Sequence, residues 1–289
     1  MARKFMDIRD RGYLVTIVSS LPTLRKLDPK GSKAVDQTLG SLNAGNYRKV
    51  LLTKEFMGPV TKPLRAFRKV HVDMTVPYVK PWGILPIGLD TEYKKFRREA
   101  QDEFYQGVDT IYPELKDEIQ KAKVRLSVMF DPNDFPTKEN FKSLFQFSHD
   151  SRAIESAEDL RSHLSDEEIV AVENNIHRRY KEAVGSVYSR VEETVGRLAD
   201  SLAKYEKDPA TGKVTHGFHK TAVDDIRRLS ELLPSLNITG DPKLDQLAKR
   251  IESELTRYET PELKENDIIR NNVMNSAEDI LDVLDGYRG

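Results

Sequence analysis

Two long stretches of the chain, residues 90–130 and 165–206, place apolar side chains at steps of three or four residues. In the second stretch, the apolar positions from Ile169 to Tyr205 make ten steps over 36 residues. This spacing matches the period of a straight α-helix, about 3.6 residues, and not the 3.5 of a sustained supercoil. About forty residues span about 60 Å, so each helix needs a partner along its length. The sequence therefore predicts that the two helices pack together as an elongated antiparallel hairpin.

The first stretch contains Pro113, which removes one backbone donor and crowds the preceding turn. Because the apolar stripe continues in phase on both sides, we expect one bent helix there. Residues 131–158 form the tip of the predicted hairpin, with a turn at DPNDFP and a strand at 144–148. That strand can pair with the β-branched run at 13–19, which predicts a small sheet at one end of the helices.

The second stretch begins with a capping box. The Ser165 hydroxyl can accept from the backbone N–H of Glu168, whose carboxylate can reach back to the backbone of Ser165. This pattern predicts that the helix starts immediately after Ser165.

The flanking regions predict shorter elements. In the N-terminal region we expect a helix at 32–39 and a second helix that is capped by Asn43 or Asn46 and continues to Met57. A break or kink at Pro59 and Pro63, a helical piece at 62–71 and a loop or connector at 76–88 follow. In the C-terminal region we expect helices at 218–233, 242–256 and 266–287. The predicted fold is mainly α, in three consecutive segments: a basic segment at 1–88 with one strand and short helices, the hairpin at 89–206, and the C-terminal helices at 207–289.

Composition narrows the class of protein. Charged residues make up 32% of the chain and hydrophobic ones 38%, a balance that suits elongated, solvent-rich helices. There is no cysteine, which removes disulfides and thiolate chemistry, and no apolar run approaches the roughly 18 residues of a membrane span. We therefore expect a cytoplasmic protein that does not enter a membrane.

Charge is separated along the chain. Residues 1–80 hold 16 Lys or Arg against 6 Asp or Glu, a formal charge of +10, while the remainder holds 30 against 41, or −11. Such asymmetry is typical of a nucleic-acid-binding end, of contact with an acidic partner, or of head-to-tail self-association. It is equally compatible with a basic segment that packs against the acidic helices of its own chain.

The candidate binding residues lie in the basic segment, interleaved with Tyr47, Phe56 and Phe67. On a helix, Arg65, Arg68 and Lys69 share one face, which can neutralise backbone phosphates without reading base sequence. The aromatic residues occupy apolar positions, so we interpret them as core and not as platforms for bases. The full set is Arg48, Lys49, Lys54, Lys62, Arg65, Arg68 and Lys69.

Signatures of catalysis are missing from the sequence. There is no phosphate-binding loop, no dinucleotide fingerprint, no nucleophile elbow and no HExxH motif. His216 and His219 have metal-ligand spacing but lack a carboxylate pattern, and DPNDFP fails as a calcium loop because Pro136 and Lys142 occupy its sixth and twelfth positions. We expect no enzyme, cofactor or metal, while an enzyme with dispersed residues stays open as a third reading.

Several segments resemble a family of uncharacterised bacteriophage and mobile-element proteins: SLNAGNYRKVLLTK, then ILPIG before a long helix, then FDPNDFPTKENFKSLFQFS, then an SHLSDEE-like helix start. Members of that family accompany a MoxR-type AAA+ ATPase and a von Willebrand A-type protein. The resemblance implies an adaptor, substrate or regulator of an ATPase system, acting in the host-cell cytoplasm if the protein is phage-encoded.

Two functions follow as expectations. The first is a non-enzymatic phage or mobile-element interaction protein that works with an ATPase or within an oligomer. The alternative is a DNA-binding accessory protein for phage DNA metabolism that uses the basic N-terminal segment. Homo-oligomerisation is a further expectation, because the long apolar stripes exceed what one hairpin and three short helices can readily cover. The alternative is that residues 218–287 fold back and complete a monomeric bundle.

Overall fold

The fold is taken from a computed structural model, which describes residues 8–42, 45–154, 165–208, 210–211, 213–218 and 220–288. It is mainly helical, with a small antiparallel sheet and two short β-ribbons. The strands are β1 Gly12–Ser20, β2 Arg25–Leu27, β3 Arg48–Val50, β4 Val76–Val79, β5 Trp82–Pro86, β6 Gln146–Arg152, β7 Glu206–Lys207 and β8 Val214–His216. The helices are α1 Pro29–Leu39, α2 Gly58–Met74, α3 Asp90–Ile111, α4 Leu115–Leu126, α5 Lys138–Phe141, α6 Asp166–Ala203, α7 Lys220–Leu236, α8 Pro242–Arg250, α9 Thr260–Glu265 and α10 Asp267–Arg288.

The chain forms two compact units, and each is built from separate pieces of sequence. The first unit comprises Met1–Val15, Val72–Thr91 and Ser151–Gly289, and the second comprises Thr16–His71 and Glu92–Asp150. The division into three consecutive segments stays a prediction.

The main sheet has the strand order β4-β5-β1-β6. The predicted strand at 144–148 is confirmed as β6, shifted towards the C-terminus, and it lies beside β1 as expected. The connector predicted at 76–88 is wrong: it is a hairpin of β4 and β5, with Val76 opposite Ile84. Prolines concealed this hairpin, because Pro77 and Pro86 interrupt the donor pattern of a regular strand and Pro81 lies in the turn between the strands.

A second correction concerns the helix expected at 43–57. The structure has β3 there, paired antiparallel with β2 so that Lys26 faces Lys49, followed by turns that lead into α2. The expectation of a single strand within residues 1–88 is therefore also wrong. The helix expected at 32–39 is confirmed as α1, which ends at Gly40 in a left-handed conformation with φ 62°.

The second unit holds α2, which is one helix and not two pieces separated by prolines. Pro59 lies in its first turn, where a missing N–H costs little. Pro63 lacks the N–H that would bond to the Pro59 carbonyl, and Gly107 of α3 packs against that oxygen. A Cβ added at Gly107 would lie 2.5 Å from the Pro59 oxygen, so glycine permits this close crossing of α2 and α3.

The first predicted long helix is interrupted in the structure. It consists of α3 and α4, separated by a turn at residues 112–114. Pro113 cannot donate to the carbonyl of Asp109, and α4 restarts after Glu114. The apolar stripe stays in phase through the turn, as Ile111 and Leu115 are both buried, which is why the pattern alone predicted one bent helix.

The second predicted long helix is confirmed as α6, a helix of 38 residues in the first unit. Its capping box is present: Ser165 Oγ accepts from Glu168 N at 3.4 Å, and Ser165 N donates to Glu168 Oε2 at 2.8 Å. α6 packs against α10, α7 and β4. Arg190 of α6 also donates to the carbonyls of Asp73 and Thr75, both at 2.9 Å. The pairing of α6 with the first stretch as a hairpin is not confirmed.

The predicted C-terminal helices are present as α7, α8 and α10, with boundaries that differ by a few residues. α8 continues into a π-helical turn, Ile251–Leu255, and α9 is an additional short helix before α10. The loop expected after residue 206 contains the ribbon of β7 and β8. Across the described part of the chain, the helices all lack either the length or the continuous hydropathy that a transmembrane span requires.

Candidate polyanion-binding surface

Four of the seven predicted basic residues lie on α2. Its apolar side chains Val60, Leu64 and Phe67 are buried on one face. On the opposite face the steps from 62 to 65 to 69 bring three exposed cations into line. We call this set, Lys62, Arg65 and Lys69, the basic strip. No acidic residue occurs in α2 before Asp73, so no carboxylate of the same helix lies within one turn of the strip's first two cations.

Aromatic packing fixes the orientation of α2 within the second unit. The Phe67 ring lies 5.3 Å from that of Tyr93 on α3 and 5.5 Å from that of Phe147 on β6. Phe67 is only 1% exposed, and Phe56 is also buried. Phe56 and Phe67 are therefore core, as the sequence predicted, and their anchoring leaves the basic strip on the outward side of the helix. The same prediction is wrong for Tyr47, which is 36% exposed.

Arg68 lies beside the basic strip on the side of β1. Its guanidinium donates to Ser19 Oγ at 2.8 Å, and the side chain remains exposed. Arg68 therefore adds a fourth positive charge to this face of α2, with a position partly fixed by the strand.

Sequence reasoning missed a second basic run on α3. Two contacts show that α2 and α3 run antiparallel: Pro59 near the start of α2 meets Gly107 late in α3, and His71 near the end of α2 meets Tyr93 early in α3. The first turns of α3 therefore lie beside the last turns of α2. They carry three exposed cations, Lys94, Lys95 and Arg98. The run YKKFRRE was the available signal, and the acidic balance of the whole region concealed it.

Arg97, in the same run, turns inward. Its guanidinium Nη1 donates to the ring of His149 on β6, and both side chains are half-buried. Burial, with a smaller effect from Arg97, lowers the pKa of His149. A neutral imidazole can accept this hydrogen bond, so Arg97 joins α3 to the sheet and is not part of the exposed surface.

Lys49 is likewise withdrawn from the surface. It is 5% exposed, and its Nζ lies 2.6 Å from Asp134 Oδ2 and 3.3 Å from Asp28 Oδ2, while it donates to the Met129 carbonyl at 2.8 Å. Burial alone lowers the pKa of Lys49, but its hydrogen bonds to Asp134 and Asp28 outweigh burial and raise it. Lys26 also pairs with Asp134. Lys49 therefore pairs within its own chain, with carboxylates of a helix cap and a turn and not with the acidic helices that the sequence suggested.

The two remaining predicted residues lie away from the basic strip. Arg48 is on β3 and Lys54 is in the turns between β3 and α2, and both are exposed. The structure thus brings four of the seven predicted residues together on α2, places two elsewhere on the surface, and buries one.

His71 lies in the last turn of α2. Its Nδ1 is hydrogen-bonded to the Tyr93 hydroxyl at 2.7 Å. Burial lowers the pKa of His71 to about 4, so the ring is neutral at pH 7, and the tautomer of the ring sets which of the two groups donates the hydrogen bond. His71 therefore contributes no positive charge to the surface near neutral pH.

Polar side chains also cluster outside this surface. A cleft of about 430 Å³ in the first unit is lined by Arg197, Lys204, His216, Asp200 and Asp225 among others, a mixture of both charges. Within the described ranges, no group of three or more His, Asp or Glu could hold a metal ion. His219 lies outside the described residues. Asp131 accepts from Asn133 N at 3.0 Å, so the DPNDFP carboxylates serve the turn and the Lys49 cluster.

Comparison with known proteins adds no relative. No protein-family model matches the chain, and no curated protein or solved structure matches it.

Proposed function

We propose that the chain is a non-enzymatic interaction protein whose second unit binds the phosphate backbone of DNA through α2. The observation that carries this proposal is the alignment of Lys62, Arg65 and Lys69 on one exposed helix face, with Arg68 beside them. Helical cations at this spacing can contact successive phosphates, and each contact releases a condensed counterion.

The charge of the second unit supports the proposal. Residues 16–71 and 92–150 together hold 21 Lys or Arg against 15 Asp or Glu, a formal charge of +6, while the rest of the chain carries −7. The exposed cations early in α3 extend the positive surface alongside the last turns of α2. A positive unit of this kind attracts a polyanion over about one Debye length, 8–10 Å at moderate salt.

The burial of Phe56 and Phe67 favours backbone contact over base recognition. Phe56 and Phe67 lie in the core, where they cannot stack on bases. Lysine and arginine on a smooth helix face bind phosphates with little dependence on sequence. We therefore expect sequence-neutral binding of duplex DNA.

The resemblance to phage and mobile-element proteins supports a related use of the same surface. An acidic patch on a protein partner, such as a MoxR-type AAA+ ATPase, would meet the same cations. The spacing of the strip favours DNA as the ligand. If DNA does not bind, we expect an acidic protein partner instead. In a phage setting, the protein would work in the host-cell cytoplasm.

The test compares two triple variants of the full chain. Lys62→Glu/Arg65→Glu/Lys69→Glu reverses the basic strip. The matched control, Lys116→Glu/Lys121→Glu/Lys123→Glu, makes the same change in charge on exposed residues of α4 in the same unit. Fluorescence anisotropy with a labelled 30-base-pair duplex in low salt measures binding.

We expect the strip variant to lose at least about 100-fold in affinity, since three phosphate contacts become repulsive. The control should lose much less, and both variants should keep the wild-type circular dichroism spectrum. Equal losses in the two variants would show that only net charge matters. A wild-type protein that fails to bind the duplex would overturn the proposal and leave an acidic protein as the candidate ligand.

A further inference from the structure

Tyr47 differs from the other tyrosines in what its side chain contacts. The chain has 11 tyrosines, and each of the others has a ring–ring contact, a cation over its ring or a hydrogen-bonded hydroxyl. The side chain of Tyr47 has none of these with the described residues, and it is exposed. The packing of the fold therefore leaves this ring available to a ligand.

The position of Tyr47 is nevertheless fixed. Its backbone N donates to Ser32 Oγ at 3.0 Å, and its carbonyl accepts from Asp28 N at 3.0 Å. The ring lies against Gly31, where an added Cβ would be 2.4 Å from Tyr47 Cδ1, so glycine leaves room for the ring. Tyr47 is thus an anchored aromatic ring at the surface, where the start of α1 meets the ribbon of β2 and β3.

The ribbon carries one pair of cations near this junction. Leu27 lies opposite Arg48, and Arg25 is two residues before Leu27, so the two arginines share one face of the ribbon. Lys49 points to the other face, where Asp134 holds it in the interior, so the arginine face is the outer one. Both arginines are exposed, and neither forms an ion pair with a described residue.

The helix α1 carries a second pair of cations. Lys30 and Lys33 are three residues apart, and both are exposed without an ion pair to a described residue. No residue of α1 is buried, so contact with the core does not account for this helix. Residues 24–48 hold five Lys or Arg against two Asp, and one of these, Asp28, is buried. The junction of α1 and the ribbon is therefore a positively charged surface.

We propose that Tyr47 and these four cations form a site for single-stranded nucleic acid, which we call the tyrosine site. One base stacks on Tyr47, and the phosphates on either side of that base meet the lysines of α1 and the arginines of the ribbon. Proteins hold single strands by this combination, because every base has a face that can stack on an aromatic ring. The four cations are Arg25, Lys30, Lys33 and Arg48.

A single strand uses both features of the site. In a duplex, neighbouring bases cover the faces that would stack on Tyr47, so a duplex would meet the cations alone. An acidic peptide would also meet the cations alone, because it has no base to stack on the ring. Stacking depends little on which base is present, so we expect little sequence preference. The tyrosine site is separate from the basic strip, and the proposal does not depend on binding at α2.

The first test measures binding of a labelled oligo(dT) of about 20 nucleotides to the full chain by fluorescence anisotropy in low salt. Tyr47→Phe keeps an aromatic ring and should bind like the wild type. Tyr47→Leu keeps an apolar side chain without a face for stacking, and it should lose about 5–100-fold in affinity, as expected for one stacked base. Both variants should keep the wild-type circular dichroism spectrum.

The second test measures the contribution of the cations. In Arg25→Gln/Arg48→Gln, the slope of log K against log[salt] for oligo(dT) should become shallower by about 1.4, at about 0.7 per phosphate of a single strand. The matched control is Lys116→Gln/Lys121→Gln, which removes the same charge from exposed residues of α4 in the same unit. The control should keep the wild-type slope.

Three results would overturn the proposal. They are a wild-type protein that does not bind oligo(dT), equal affinities of Tyr47→Leu and Tyr47→Phe, and equal slopes of the arginine variant and its control. A wild-type protein that binds poly-glutamate but not oligo(dT) would assign the four cations to an acidic protein instead. Duplex binding by the basic strip is tested by its own variants, so either proposal can fail while the other holds.

Discussion

Lys49 Nζ lies 2.6 Å from Asp134 Oδ2 in the interior of the second unit, with both side chains almost fully buried. The pair joins the β2–β3 ribbon to the turn that follows α4. Asp28 completes the cluster and also caps α1, accepting from Gly31 N at 2.7 Å. Opposite charges thus hold the β2–β3 ribbon and α1, which are neighbours in sequence, to a distant turn.

Breaking this pair should destabilise the fold. In Asp134→Asn, the ammonium of Lys49 loses its nearest counter-charge but keeps Asp28 at 3.3 Å, so we expect a cost of about 1–3 kcal/mol, less than for a buried charge with no partner. The matched control is Asp109→Asn, because Asp109 pairs with Lys142 at the same 2.6 Å on the exposed surface. The control should change the free energy of unfolding by no more than about 0.5 kcal/mol. Urea unfolding measures both, and equal effects would contradict the interior role of the cluster.

His71 should make stability depend on pH in the mildly acidic range. Burial lowers its pKa to about 4, against about 6.5 in the unfolded chain, so the unfolded state binds the proton more readily. The associated stability is complete above about pH 6.5 and is lost as the pH falls towards 4, by up to about 3 kcal/mol. His71→Gln should flatten the stability curve between pH 6.5 and 4. NMR titration of the ring should give a midpoint near 4, and a midpoint near 6.5 would contradict its burial.

Below that pH range, the stability of the fold depends on the protonation of carboxylates. The pKa of Asp134 is lowered by hydrogen bonds from Lys26 and Lys49, which outweigh the opposing effect of burial. The pKa of Asp28 is lowered chiefly by its hydrogen bond from the Gly31 backbone. A lowered carboxyl pKa gives stability that is present above the ordinary value and is lost as the pH falls through the lowered one. The wild type should therefore show a further acid transition, which is weaker in Asp134→Asn.

Because α2 and α3 pack closely at Gly107, we expect a single methyl group added there to destabilise the fold. In Gly107→Ala, the new Cβ would lie 2.5 Å from the Pro59 oxygen and 2.7 Å from its carbonyl carbon, both backbone atoms that cannot rotate away. We expect a loss of about 1–3 kcal/mol from overpacking. Gly185→Ala, in α6 with open space around the site, should instead stabilise by up to about 1 kcal/mol. Thermal unfolding of the two variants should shift in opposite directions.

The sequence predicted features that depend on neighbouring residues. The capping box at Ser165 located the start of α6, and the strand predicted at 144–148 lies beside β1 as expected. These signals act over a few residues, or through one buried face, so the sequence alone contains them.

Features that depend on distant partners were not predictable. The strand β3 exists because it pairs with β2, and three residues carry too little pattern to show it. In the sequence, nothing distinguishes Lys49 from its exposed basic neighbours. Only the fold brings Asp134, which is distant in sequence, beside it. The face predicted from the sequence, Arg65, Arg68 and Lys69, shares two of its three residues with the basic strip, because residues three or four apart lie on one side of a helix.

The most direct test of the proposed function is the salt dependence of DNA binding. Anisotropy titrations of the wild type from 50 to 200 mM salt should give a slope of log K against log[salt] of about −3.6 or steeper. This value follows from four cations on α2 at about 0.9 per phosphate. Removing the charge of the basic strip, in Lys62→Gln/Arg65→Gln/Lys69→Gln, should make the slope shallower by about 2.7. A wild-type slope near zero, or one that the triple variant leaves unchanged, would contradict the assignment of α2 as the DNA-binding face.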